Sequence, residues 1–119
     1  MPPSAEKTPE TRRTQMYKGV IELALMSLLE DGAEYGLRIL DGLRTRAGLD
    51  LAEGTLYPLL HRLEKGGLIV AEWRHEAEAS HPRKYYRLTP EGAAELREQS
   101  RTWLDMTGQL NAFLQRGSQ

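Results

Sequence analysis

The chain has 119 residues, no cysteine, and 16 lysines and arginines against 17 acidic residues, so its formal net charge is −1. This length is typical of a single compact domain, and the lack of cysteine excludes a disulfide framework, a zinc site with cysteine ligands and thiol catalysis. The balanced charge argues against binding nucleic acid through overall charge alone, because nucleic-acid-binding domains are usually strongly basic.

The first fifteen residues hold three prolines and no large aliphatic side chain. Such a segment cannot bury enough apolar surface to offset the entropy lost on ordering, so residues 1–15 are predicted to form a flexible tail. They also lack the apolar segment of a secretory signal, and no apolar run in the chain approaches the roughly 20 residues that a membrane helix needs. We therefore expect a cytoplasmic protein without a membrane partner.

Two helical segments follow the tail. Residues 18–30 are dense in leucine, methionine and alanine. Periodicity alone also allows a buried strand there, but composition and length favour a helix that ends at Gly32. Residues 34–47 fit a second helix that ends at Gly48. Its predicted inward positions are Leu37, Leu40, Leu43 and Ala47.

The third helical pattern is the clearest of the three, and it ends at Gly66 and Gly67. Pro58 lies within it and removes a backbone hydrogen bond, so either the helix begins close to Pro58 or Gly54 lets its first turn deform. Four leucines recur at the spacing of one helix face: Leu56, Leu59, Leu60 and Leu63.

The opposite face of this third helix is polar and basic. Hydroxyl, imidazole and guanidinium groups donate to phosphates or to base edges in a DNA major groove, which admits an α-helix. On these residues alone, a solvated helix surface is at least as good an interpretation. The outward and flanking positions are Thr55, Tyr57, Pro58, His61, Arg62 and Lys65.

After the two glycines the hydrophobic period changes from 3.6 to 2 residues. Residues 68–74 and 84–88 are predicted to be strands because they are rich in β-branched and aromatic side chains. Three helices followed by a hairpin predict an α+β fold, mainly helical, of the winged helix-turn-helix type. In the loop Glu76 and Glu78 oppose contact with DNA, but basic side chains outnumber them on or beside the hairpin: Arg74, His75, His81, Arg83, Lys84 and Arg87.

The near-zero total charge hides an uneven distribution. Residues 61–90 contain six basic and four acidic residues, a net +2, whereas residues 16–60 carry a net −3. The end of the third helix and the hairpin are therefore the basic part of the predicted fold. This distribution suits one DNA-facing edge and predicts that non-specific affinity for DNA is weak.

The last predicted helix spans roughly residues 90–115, with Thr89 as its N-cap and Pro90 at its first position. A helix of about 25 residues is near 38 Å long and overhangs a ~100-residue fold about 26 Å across. Its apolar face therefore needs a partner, and we predict a homodimer. A heptad seam, interrupted at Gln99 and widened by Leu104 and Leu114, consists of Leu96, Trp103, Met106, Leu110 and Phe113.

Three groups of residues match a known pattern in combination. They are the stretch Gly54-Thr55-Leu56-Tyr57-Pro58-Leu59-Leu60-His61-Arg62-Leu63-Glu64 followed by Gly67-Leu68-Ile69, the pair Tyr35-Gly36, and Arg83-Lys84-Tyr85-Tyr86-Arg87-Leu88-Thr89 with Gly92. Together they resemble the signature of PadR-like transcriptional regulators. The resemblance covers roughly residues 17–114, and the single C-terminal helix is similar to the short subclass of that family.

The resemblance implies a homodimeric winged helix-turn-helix repressor that binds a near-palindromic operator in double-stranded DNA and is released by a ligand or stress signal. It places the Tyr-Pro pair early in the recognition helix. The positions that it carries to the DNA surface are Tyr35, Thr55, Tyr57, Pro58, His61, Arg83 and Lys84. Arg62 and Arg74 complete the predicted DNA-binding set.

The same resemblance places Trp103 on the dimer-forming helix, where some drug-sensing relatives stack an aromatic side chain on flat ligands. Trp103 is therefore a candidate contact for a small aromatic effector, although packing at the interface is the simpler interpretation. The predicted organisation is a tail over residues 1–15, a winged helix-turn-helix domain over 16–89 and a dimerisation helix over 90–119.

No catalytic constellation or phosphate-binding loop occurs in the sequence, and His75 and His81 have no ligand spacing that favours a metal site. We therefore expect no enzymatic activity, no cofactor and no metal. Two functions remain: a ligand-released DNA-binding repressor, and a dimeric winged-helix module that binds protein without operator binding.

Overall fold

The computed structural model describes residues 9–78 and 80–117, and of residues 9–16 it describes the backbone only. Four helices and three short strands confirm the predicted α+β class, mainly helical, with a long C-terminal helix. In chain order the elements are α1 (Pro9–Leu29), β1 (Glu34–Tyr35), α2 (Gly36–Ala47), α3 (Glu53–Lys65), β2 (Ile69–Arg74), β3 (Arg83–Leu88) and α4 (Pro90–Gln115).

Helix α1 begins at Pro9, inside the segment predicted as a flexible tail and well before the predicted start at residue 18. Proline suits the first position of a helix, and glutamate, arginine and glutamine propagate one. The prediction weighed only apolar burial and so missed a polar helical extension. Residues 1–8 of the predicted tail lie outside the described residues, and the division of the chain at residues 15 and 89 remains a prediction.

The core lies where α1, α2 and α3 meet the sheet and the first turns of α4. All four leucines predicted to face inward from α3 are buried. In α2 the buried residues are Gly36, Ile39 and Leu43, so the prediction is confirmed for Leu43. The expectation that Leu37 and Ala47 face inward is wrong, because both are exposed, Leu37 to 58%. Both sets fit a helical period, so spacing alone does not choose between them.

The sheet has the order β1-β3-β2 and is antiparallel throughout. The hairpin pairs Ile69 with Leu88 at its base and Arg74 with Arg83 at its tip, which confirms the predicted wing. Strand β1 was not predicted, because a segment of two residues is too short to show a hydrophobic period.

The first turn of α4 is held against the start of the wing. The Thr89 hydroxyl donates to the carbonyl oxygen of Gly67 at 2.7 Å and accepts from the amide of Gly92 at 3.0 Å, so the predicted N-cap is confirmed. The Thr89 amide donates to the carbonyl oxygen of Leu68 at 3.1 Å. The dimer-helix candidate α4 is therefore fastened directly to the junction between α3 and the wing.

Candidate nucleic-acid interface

Helix α3 runs without interruption from Glu53 to Lys65 and contains Pro58 inside it. The alternative in which the helix begins close to Pro58 is therefore wrong. Pro58 and His61 are exposed and Thr55 is half-buried, so the face opposite the four leucines is polar and open, as predicted. This surface has the residue types that a recognition helix presents to base edges and phosphates.

Tyr57 connects α3 to the first turn of α2. A Cβ atom added at Gly36 would lie 2.4 Å from the Tyr57 hydroxyl, so only glycine allows this close approach of ring to backbone. The ring remains 41% exposed. Burial, followed by the nearby charge of Glu53, raises the pKa of Tyr57, so its hydroxyl stays protonated and able to donate near neutral pH.

The wing arginines stack on two tyrosines. The guanidinium carbon of Arg83 lies 4.5 Å from the centroid of the Tyr35 ring, and that of Arg74 lies 4.5 Å from the Tyr85 ring. The two tyrosine rings meet edge to face at 5.4 Å. Cation–π contacts of this kind are worth about 0.5–1 kcal/mol at exposed sites, and here they hold two flexible cations in place.

Glu76, which was expected to oppose DNA binding, has two partners within the wing. Its carboxylate accepts a hydrogen bond from the Tyr85 hydroxyl and lies 3.6 Å from Arg83. The hydrogen bond to Glu76 raises the pKa of Tyr85. The negative charge of Glu76 is therefore partly compensated by its own neighbours.

Tyr35 was predicted as a DNA contact, and its ring supports Arg83. We expect Tyr35→Leu to weaken DNA binding several-fold and to lower the free energy of unfolding by about 1 kcal/mol, because the stacking surface for both Arg83 and Tyr85 is lost. Tyr35→Phe keeps the ring and should behave as the wild type in titrations with labelled duplex and in urea unfolding. Equal losses in both variants would show that the hydroxyl matters and not the stacking surface.

Lys84 lies between the wing and α3. Its ammonium group is 3.9 Å from the carboxylate of Glu64 and 5.5 Å from the centroid of the Tyr86 ring. Both side chains of this ion pair are partly exposed, so the pair is weak.

Arg62 differs from the other predicted contacts. Its guanidinium bonds the carboxylate of Glu22 on α1 at 2.7 Å, and the Glu22 side chain is only 14% exposed. Arg62 therefore ties α3 to α1 within the protomer. The sequence pattern places Arg62 outward but does not reveal this acidic partner forty residues earlier in the chain.

A groove of about 540 Å³ gathers several of the predicted residues between α2, α3 and the wing. Four of its residues were not among the predicted DNA contacts: Gly36 and Leu37 on α2, Trp73 on β2 and Tyr86 on β3. No sequence signal identifies Trp73, because spacing along one strand does not reveal where that strand extends beyond the core. The lining residues are Tyr35, Gly36, Leu37, Tyr57, Trp73, Arg83, Lys84 and Tyr86.

Helix α4 leaves an apolar surface uncovered within the described part of the protomer. Met106, Leu110 and Phe113 of the predicted seam are 46–58% exposed. Leu96 is a correction, because it is 3% exposed and packs in the protomer's own core, where the first turns of α4 cover the other elements. Trp103 is half-buried and lines a groove of about 470 Å³ between α1 and α4.

In the part of the chain that the structure describes, no group of three histidine, cysteine or acidic side chains is placed to hold a metal ion. Nor does any described helix combine the length and the apolar character required to cross a membrane.

Comparison with known proteins identifies relatives of this arrangement. The pattern of the transcriptional regulator PadR-like family matches residues 25–98. The transcriptional regulator Rv3488 of Mycobacterium tuberculosis is 36% identical over 87 residues, which cover 73% of this chain and 78% of that protein.

Solved structures agree with this match. A PadR-like transcription factor from Bacteroides fragilis superposes with a TM-score of 0.70 at 37% identity, covering 87% of this chain and 98% of that one. A PadR family regulator from Eggerthella lenta gives a TM-score of 0.76 at 31% identity, covering 91% and 93%. The chain therefore belongs to the PadR-like family of transcriptional regulators, which are DNA-binding proteins and not enzymes.

Proposed function

We propose that this chain is a cytoplasmic homodimeric repressor that binds a near-palindromic operator and is released by a small aromatic ligand. The observation that carries the DNA-binding part is the groove that joins the polar face of α3 to the cations of the wing. A recognition helix in the major groove and a wing on the adjoining backbone need this arrangement. Family membership supports DNA-binding regulation; the dimer, the repressor role and the ligand are the further steps of the proposal.

The α4 surface supports the dimer. Large apolar side chains at this density on one helix mark an interaction surface in a small protein. In a two-fold dimer the same patch meets itself, so the two α4 helices would set the distance between the recognition helices. A palindromic operator would then follow from the two-fold axis.

Random-site DNA selection with the purified protein tests the proposal directly. We expect enrichment of an inverted repeat, followed by gel-shift titrations with a dissociation constant of roughly 10⁻⁸–10⁻¹¹ M, the usual range of specific complexes. Tyr57→Ala and His61→Ala should lose preference for the selected sequence. A selection that enriches nothing, together with no shift on the upstream region of its own gene, would contradict operator binding.

Lys84→Ala should weaken binding to selected and unrelated duplexes alike. The loss of one phosphate contact reduces the slope of log K against log[salt] by about 0.9. Arg101→Ala removes the same charge from α4 and should leave the slope unchanged. The slope is measured by fluorescence anisotropy at several salt concentrations.

The alternative function is a dimeric winged-helix module that binds protein. It predicts that the wild type shows no salt-dependent DNA binding. The Tyr57→Ala, His61→Ala and Lys84→Ala variants would then behave as the wild type on every duplex.

Trp103 is the proposed contact for the ligand, because it lines the groove between α1 and α4 together with apolar residues such as Val20, Leu23 and Met106. A planar aromatic compound that binds there should quench the protein's fluorescence saturably and weaken operator binding by preferring a dimer with altered helix spacing. Trp103→Ala should lose both responses. Release by the same compounds in Trp103→Ala would assign the ligand to another site.

A further inference from the structure

Trp73 and Leu37 are the two large apolar side chains of the groove between α3 and the wing that stand mostly in solvent, 68% and 58% exposed. Exposed apolar groups concentrated beside cations mark a surface that becomes covered in a complex. Leucine has no polar group, and the tryptophan indole has a single donor, which is too few for the paired hydrogen bonds that best distinguish one base from another. Their role in DNA binding is therefore different from that of the α3 side chains.

The hairpin geometry explains the position of Trp73. Alternate residues of a strand share a face, so Trp73 lies on the same side of β2 as Ile69 and Ala71. Ile69 is 1% exposed in the core, but the hairpin continues past the helices and Trp73 extends beyond them. Lys84 is its register partner on β3, and both side chains line the groove.

A DNA strand has the matching composition. Its backbone alternates deoxyribose rings, which present carbon and hydrogen, with phosphates that carry one charge each. A small apolar ligand would match the indole and Leu37 but not Lys84 and Arg83. The acidic partners of these two cations, Glu64 and Glu76, lie 3.9 and 3.6 Å away in partly exposed ion pairs, which are weak enough for a phosphate to compete with. The combination of apolar side chains with two cations favours the backbone strand as the occupant.

We propose that one sugar–phosphate strand of the bound duplex lies in this groove, with Trp73 and Leu37 packed against deoxyribose and Lys84 against the adjoining phosphate. The inference rests on the proposed DNA binding. Contacts of this kind position the protein on the duplex and carry no sequence information. They should therefore affect all duplexes similarly.

The first test separates an apolar contact from an ionic one. Trp73→Ala should lower affinity about tenfold for the selected operator and for an unrelated duplex, with an unchanged salt slope, because no counterion is released by an apolar contact. Trp73→Phe should recover most of the affinity. The matched control is Val70→Ala, which removes a 37% exposed side chain from the opposite face of the same strand and should change nothing.

The outcomes distinguish this inference from the proposed function. If the wild type binds no duplex, the proposed function fails. If the wild type binds and Trp73→Ala binds equally well, the groove contact is wrong while operator binding stands. A loss confined to one sequence would assign Trp73 to base recognition, and a monomeric Trp73→Ala protein in light scattering would assign the groove to a second copy; each overturns the inference.

A second measurement uses the unaltered protein. Hydroxyl-radical oxidation followed by mass spectrometry separates the peptides of Trp73 and Trp103. Saturating duplex should reduce oxidation of Trp73 several-fold and leave Trp103, on α4, as the reference. Equal oxidation of Trp73 with and without duplex would overturn the inference whether or not any variant folds.

Discussion

Replacing Leu110 and Phe113 together by glutamate is expected to convert the protein into a monomer and to lower operator affinity at least a hundredfold. Both side chains are about half exposed on α4, and carboxylates cannot be buried there without a partner. Loss of the second recognition helix removes the gain from linked binding, which is typically 10²–10⁴-fold. Light scattering should give the mass of one chain, 13.5 kDa, instead of twice that value.

The matched control adds the same two charges to another face of α4. Asn111→Glu with Ala112→Glu lies roughly opposite the Leu110–Phe113 seam at 100° per residue, so this variant should remain dimeric and bind the operator. If the Leu110 and Phe113 variant stays dimeric, the end of α4 is not the interface. If it becomes monomeric and binds DNA unchanged, each chain recognises its site alone.

Gly92→Ala is expected to destabilise the protein by roughly 2–4 kcal/mol, although alanine is the better helix former by about 1 kcal/mol. A Cβ atom at this position would lie 1.9 Å from the carbonyl oxygen of Leu68 and 2.8 Å from the Leu88 side chain. Leu68 is held by the Thr89 amide, so its backbone cannot move away without loss of that bond. In the Gly92→Ala variant, helix α4 must therefore move away from the wing.

The test is the sign of the change in the free energy of unfolding, measured by urea unfolding. The protomer concentration is held fixed, because dimerisation makes stability depend on concentration. Gly108→Ala is the matched control, because it lies in the same helix and a Cβ atom there meets nothing within 4 Å. It should raise stability by up to about 1 kcal/mol. A similar gain from Gly92→Ala would contradict the close approach of α4 to Leu68.

Most of the fold follows from local patterns. The four leucines of α3 predicted its buried face, Gly48 predicted the end of α2 with a left-handed backbone at φ 68°, and Thr89-Pro90 predicted the start of α4. Each of these signals depends on neighbours within a few residues, so these helix faces and helix ends can be predicted from the sequence. The wing followed in the same way from a change of period.

Other features required contacts between distant segments. The spacing of α2 fits either Leu37 or Ile39 as an inward residue, and the packing of α2 against α1 and α3 makes Ile39 the buried one. Leu96 fits the heptad seam as well as Leu110 does, but the first turns of α4 cover the core and only the later turns extend past it. The ion pair between Arg62 on α3 and Glu22 on α1 joins residues forty positions apart, so no local pattern reveals it.

The sequence by itself determined the class of protein, the order of its four helices and the wing, and the basic edge hidden in a net charge of −1, because motifs, periods and charge counts are local properties. The tertiary structure decided how that edge is built. It joined Tyr35, Arg83 and Lys84 to the apolar side chains of Leu37 and Trp73 in one groove, since residues far apart in the chain meet only when the wing folds back beside α2 and α3.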